Sequence, residues 1–280
     1  MRFSLILSTI NRKIEVKKFL LSVSNQTFKD FEVIIIDQNQ DDSIIFILEQ
    51  FTNLNIKYIK SKKKGLSLSR NIGIRNSLGE ILCFPDDDCE YPPELLYNVN
   101  NFFINNDYEI LTGKTINKKN NEIVAGKRIY YNTKLNALNI LGSSTTLFVK
   151  KNNDIVFDER FGLGGRFNSE EENDLIFRLL KKGYKGYYNP DINYVFHPPN
   201  DLDYCNLKRV SQRSIGLGAF IAKHLFTKEG VIYFMKYNLI RPLVGSFIYF
   251  IKFDLCKSKF YFYKFINIWL GFIKYFKVKK

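Results

Sequence analysis

Three consecutive aspartates, Asp86-Asp87-Asp88, follow the apolar run Glu80–Phe84 and its stop at Pro85. Like charges crowded at one strand end repel unless a cation neutralises them. A hard divalent ion, Mn²⁺ or Mg²⁺, suits such a group because it prefers oxygen ligands and brings phosphate oxygens with it. The same triplet would also serve as a solvated acidic turn leading into the helical pattern from Glu94. A second acidic group comprises Glu170, Glu171, Glu172 and Asp174. The helix dipole favours acids at a helix N-terminus, which accounts for part of this cluster. Its density also offers a general base. His197 follows the strand-like Val195-Phe196 and is either a structural histidine or a ligand.

The elements that must position these residues alternate in type. Phe3–Leu7, Phe31–Ile36, Ile56–Ile59 and Ile81–Phe84 read as strands; Lys13–Ser24, Asp42–Phe51 and Leu66–Leu78 read as helices. Such alternation predicts an α/β fold with a parallel sheet and right-handed crossovers. Ligands then bind beyond the carboxyl ends of the strands. There the chain places Ser8-Thr9, Asp37-Gln38, lysines within 60–64 and the aspartates. Hydroxyls, acceptors, cations and a metal cluster together suit a nucleoside diphosphate, although a lysine run is equally a solvated loop. Neither a GxGxxG fingerprint after the first strand nor a P-loop is present. Further on, Ile110–Thr115, Ile123–Ile129 and Leu147–Val149 read as strands. Ser169 reads as a helix cap with Glu172 at the capping-box position, before a helix over Leu175–Lys182.

Charge divides the chain. The net charge is +14, yet residues 205–280 hold 15 Lys and Arg against only Glu229 and Asp254, so the first 204 residues are nearly neutral. That last stretch also holds 18 of the 44 aromatic residues. The division predicts a catalytic domain over 1–204 and a helical extension over 205–280. Four cysteines without a CxxC pair, and two histidines, argue against structural zinc and for reduced thiols. No signal peptide and no run of 18 apolar residues is expected.

These motifs resemble those of inverting family 2 glycosyltransferases of the GT-A fold. Ser4–Arg12 is similar to the family's first strand and T-x-N-R turn. Ser24–Thr27 and Asp30–Asp37 resemble its Q-T and D-F-E-h-h-h-h-D segment, and Gly65–Gly73 its G-x-x-x-x-R-N-x-G helix. The aspartates resemble its D-x-D element, Glu171–Leu175 its E-D-x-D-L element, and Lys182–Lys185 its G-Y-K. The resemblance runs from about Phe3 to His197. It implies a mostly parallel central sheet flanked by helices, with Mn²⁺ or Mg²⁺ held by Asp88, Asp86 and His197. Ser8, Thr9, Asn11, Asp37 and Gln38 would cradle the base and ribose of a nucleotide-sugar donor. Gly65, Arg70, Asp86 and Asp87 would complete the donor site. Glu172 would be the catalytic base, with Glu171 and Asp174 on the acceptor side. Gln38 stands where the family often has a second aspartate, and Glu172 where the base is usually aspartate.

The tail interleaves lysines with aromatics, as in Phe260–Phe265 and Phe272–Lys277. This suits helices lying in an anionic membrane interface, where a lipid-linked saccharide acceptor would be found. It also suits an ordinary helical appendage. The expected location is peripheral, on the inner, cytoplasmic face of a cell membrane, in surface-polysaccharide synthesis and without a nucleic-acid partner. Two rival readings are a nucleotidyltransferase on a similar sheet and a basic single-strand nucleic-acid binder.

Overall fold

The computed structural model describes residues 1–125, 128–199 and 207–278. Two compact units emerge. One comprises residues 1–157 and 175–200; the other comprises residues 158–174 and the described part of 201–280.

The first unit is built on β1 (Phe3–Thr9), β2 (Phe31–Asp37), β3 (Ile56–Lys60) and β4 (Ile81–Cys83), with α1 (Lys13–Ser24), the single turn α2 (Ile45–Leu48) and α3 (Leu66–Asn76) between them. There follow α4 (Leu95–Asn105), β5 (Ile110–Thr112), β6 (Lys114–Ile116), β7 (Ile123–Ala125), β8 (Thr133–Lys134), β9 (Phe148–Lys150), α5 (Glu171–Lys181), β10 (Gly186–Tyr188) and β11 (Tyr194–Phe196). The first turn of α5 belongs to the second unit. The main sheet runs β3-β2-β1-β4-β9-β5-β10-β8, and a small sheet runs β11-β6-β7. β1–β4 are mutually parallel, whereas β9 is antiparallel to both β4 and β5.

Side-chain alternation sorts these strands onto two cores. Phe3, Leu5, Leu7, Val33 and Ile35 pack with Phe19 and Leu20 of α1, while Ile6, Ile34 and Ile36 pack with Ile74 of α3 on the opposite face. Both faces of β2 are buried, which explains its apolar run Val33–Ile36; the polar Glu32 before it is buried against the Ser4 hydroxyl.

Three expectations are corrected. The helix expected over Asp42–Phe51 shortens to α2, which buries none of its own residues, so little packing supports it. The strand expected over Ile110–Thr115 breaks at Gly113, where the chain leaves the main sheet for the small one. Ser169 does not cap α5: its hydroxyl donates to the Arg213 carbonyl, and the first helical bond runs from Asp174 to Glu170.

The second unit packs α6 (Leu207–His224) along α9 (Leu255–Val278), with α7 (Lys228–Tyr233), a π-helical stretch (Phe234–Ile240) and α8 (Arg241–Ile251) between them in sequence. Ser211 Oγ bonds Asn267 Oδ1 at 2.6 Å across the α6–α9 seam. The α8–α9 corner leaves Phe247, Phe250, Ile251, Phe253 and Leu255 exposed, Phe253 by 90%. No described helix is long and apolar enough to cross a membrane. Cys83 and Cys89 are buried free thiols, and Cys205 lies outside the described residues.

Candidate active site

The carboxyl ends of β1, β2 and β4 meet as the sequence predicts. Beyond β4 the chain turns at the aspartates, with the Cys89 N–H bonded to the Asp86 carbonyl. Glu90 then forms a two-bond antiparallel bridge with Phe196, the last residue of β11. This bridge carries His197 to the aspartate turn. Ligand atoms of Asp86, Asp88 and His197 all lie within 4.8 Å of one another.

The histidine geometry fits a cation. His197 Nδ1 lies 2.6 Å from the Pro198 carbonyl, which can only accept, so that nitrogen carries a proton. Nε2 then faces Asp88 Oδ1 at 3.1 Å. Two acceptors at that distance need a proton or a metal ion between them. Burial works to raise the Asp88 carboxyl, but His197 and Arg12 outweigh it and hold it down at about 2. Asp88 is thus ionised, with Arg12 and His197 as its partners.

Asp87 faces elsewhere. It accepts from the Thr9 hydroxyl at 2.9 Å and lies 3.4 Å from Arg12 Nη1. Burial pushes its carboxyl up to about 7, against the pull of Thr9 and Arg12. Arg12, not singled out from sequence beyond its motif, contacts Asp88 at 2.5 Å. Arg70 is buried on α3, with Asp86 Oδ1 3.3 Å away and its guanidinium 5.3 Å from the Phe157 ring centroid.

The residues expected to cradle the nucleotide divide into two kinds. Asp37 is fully buried and accepts four bonds from within the protein: from Asn39 N–H and Nδ2, from Tyr58 and from Lys60. It organises the β2–β3 edge from beneath. Asn39 in turn accepts from the Asn11 N–H at 2.6 Å, fixing Asn11 at φ 58°. Lys60 belongs to the lysine run expected at the strand ends, whereas Asn39 and Tyr58 were missed because only their contact with Asp37 gives them a role. Gln38 donates to Ser8 Oγ at 2.8 Å and accepts from the Gly65 N–H at 2.7 Å. Gly65 precedes α3 with φ 147°, a conformation that favours glycine. Gln38 therefore ties β1, β2 and the start of α3 together. Lys62, Lys63 and Lys64 are exposed.

In the second unit, Asp174 is fully buried and Glu171 nearly so, while Glu172 is partly exposed. Glu170 precedes α5 at φ 70° and accepts from Asn173 at 2.8 Å. Burial pushes the Glu170 carboxyl up to about 7, against the Asn173 bond and with help from Glu171.

A parallel β3-β2-β1-β4 half-sheet with an acidic, histidine-backed turn beyond β4 defines a GT-A-type fold with a candidate cation site at the strand ends. The model of Glycosyl transferase family 2 matches residues 4–172, and the chain belongs to that family. A Campylobacter jejuni GalNAc(5)-diNAcBac-PP-undecaprenol beta-1,3-glucosyltransferase is 34% identical over 93 residues, 32% of this chain and 30% of that protein. The match thus spans less than a third of that relative's length. Among solved structures, a Pyrobaculum calidifontis mannosyltransferase in complex with GDP-Man and Mn²⁺ aligns with TM-score 0.69 at 13% identity, covering 97% of this chain and 87% of that one. Residues 1–349 of Staphylococcus aureus TarS align with TM-score 0.62 at 17% identity, covering 99% and 92%. These likenesses show the fold.

Proposed function

We propose that the protein is an inverting, divalent-metal-dependent glycosyltransferase. It moves a sugar from a nucleotide-sugar donor to a hydroxyl of a glycan or lipid-linked saccharide in surface-polysaccharide assembly. The observation that carries this reading is the convergence of Asp86, Asp88 and His197 beyond β4, with the His197 Nδ1 proton committed to Pro198. These residues would hold Mn²⁺ or Mg²⁺, which when bound would supply positive charge to the diphosphate leaving group. The complex of the mannosyltransferase neighbour with GDP-Man and Mn²⁺ supports the donor class. The undecaprenol-linked acceptor in the Campylobacter relative's name supports the acceptor class.

Glu172 is the base. It takes the acceptor hydroxyl's proton as that oxygen attacks the sugar's anomeric carbon from the face opposite the phosphate. The sugar–phosphate bond breaks, its electron pair stays on the diphosphate, and the anomeric configuration inverts. Arg12 and Arg70 hold the aspartates in place, and Gln38 sets the spacing of the β1, β2 and α3 ends around the nucleotide.

The exposed apolar corner at α8–α9 docks on an anionic bilayer at the cytoplasmic face. Six large apolar side chains exposed within nine residues, Ile248 among them, on a tail of net charge +13, match a surface that is apolar below and negative above. Incubating the protein with nucleotide sugars, with and without Mn²⁺, tests the transferase reading. Free nucleoside diphosphate supports it; pyrophosphate supports a nucleotidyltransferase instead.

A further inference from the structure

We propose that Lys223 and His224 of α6 are positioning residues for the acidic segment, so that the C-terminal helices set Glu172 for proton transfer. The inference deepens the proposed function and rests on its assignment of Glu172. Asp174 lies two residues beyond Glu172 on the first turn of α5. Its Oδ1 is 2.8 Å from His224 Nε2 and 2.7 Å from Lys223 Nζ. Lys223 also reaches Asp158 Oδ2 at 2.8 Å, and Arg160 contacts the same oxygen at 2.6 Å. One residue of α6 thereby ties down both ends of the 158–174 segment.

The middle of the segment is held as well. Ser169 donates to the Arg213 carbonyl at 3.2 Å. The Phe167 ring lies 6.0 Å from that of Tyr275, and the Arg160 guanidinium sits 5.0 Å over the same tyrosine. Gly216 of α6 admits no side chain: a Cβ there would meet Ser169 Oγ at 2.0 Å and the Phe167 carbonyl at 2.6 Å. Within this frame Asn168 and Glu170 take φ values of 43° and 70°, the left-handed region that non-glycine residues seldom adopt. The contacts with α6 and α9 oppose relaxation of those two residues, and so fix the direction in which α5 starts.

A buried carboxylate needs partners in any protein, so the test must separate positioning from mere support. His224→Ala is compared with His224→Gln, whose amide can donate to Asp174, and with Gly216→Ala. For nucleotide-sugar turnover, kcat of His224→Ala should fall on the order of 10–100-fold, with donor KM unchanged. His224→Gln should recover to within about threefold of the original. Unchanged kcat in His224→Ala, or no recovery with Gln, overturns the proposal. Hydrogen exchange supplies a readout free of activity. Amides of 168–174 should exchange faster in His224→Ala and Gly216→Ala, while those of β1–β4 stay protected. Unchanged protection at 168–174 overturns the clamp. Loosened exchange in a protein that turns over no nucleotide sugar upholds the clamp and sinks the transferase reading.

Discussion

At the scale of single residues, the site separates groups that meet a ligand from groups that hold those groups. Asp88 is ionised, paired with Arg12 and His197, and part of the candidate cation triad. Asp88→Asn should abolish Mn²⁺-dependent turnover with little change in melting temperature. Metal-dependent turnover that survives the change would remove Asp88 from the triad. Glu172→Gln should leave nucleotide-induced thermal stabilisation intact and lower transfer by at least about a hundredfold. Glu170 gives a pH prediction. Its carboxyl is raised from 4.5 to about 7, so the folded state holds that proton more tightly than the unfolded chain. Its contribution is fully present below about pH 4.5 and is lost as pH rises through about 7. Glu170→Gln should remove that slope and raise stability above pH 7 by up to about 3 kcal/mol, readable from urea unfolding at pH 5 and pH 8. The aspartates and His197 were legible because chemistry is written in residue type. Asp37 was legible as a position but not in its relation to a nucleotide, since two of its three partner residues, Tyr58 and Lys60, lie on β3 and reach it only on folding.

At the scale of elements, the apolar runs of β1, β2 and β4 were readable because burial on both faces leaves few polar interruptions, Ser4 and Glu32 being bonded to each other. The α1 bounds match those expected. α2 was over-read: its apolar spacing is helical, but no core receives it. The start of α5 was misassigned because Ser169 has a tertiary partner in α6 that local capping rules cannot see. The α8–α9 corner belongs to this scale too. Phe250→Ser together with Phe253→Ser should weaken flotation with anionic vesicles by at least about tenfold, since each buried aromatic contributes about 1.5–3 kcal/mol. The α6–α9 seam is untouched by these changes, so the fold should persist. Undiminished flotation would assign the corner to some other partner.

For the whole molecule, the contrast between a near-neutral first part and a strongly basic tail was visible in composition alone. The grouping of residues 158–174 with the helices was not, because that acidic, glycine-containing stretch is joined to them by contacts with α6 and α9 that form only on folding. This grouping changes how truncation would be read. Removing the chain after Lys252 deletes α9, which packs on α6 and carries Tyr275 beneath Arg160. Such a truncation should therefore impair catalysis as well as membrane attachment. Point changes at the α8–α9 corner separate the two effects.

The Glu90–Phe196 bridge carries a further consequence, one for assembly in time. The aspartate turn comes early in the chain, and His197 comes near the end of the first unit. The bridge closes a long loop between them, so the triad exists only where that loop is closed. A divalent ion seated on Asp86, Asp88 and His197 would then act as a latch on the finished unit, with the incomplete fold unable to compete for it. Each tenfold rise in Mn²⁺ above its dissociation constant should add about 1.4 kcal/mol to global stability and slow unfolding as a whole. The cation site would serve as an internal check that the first unit has closed.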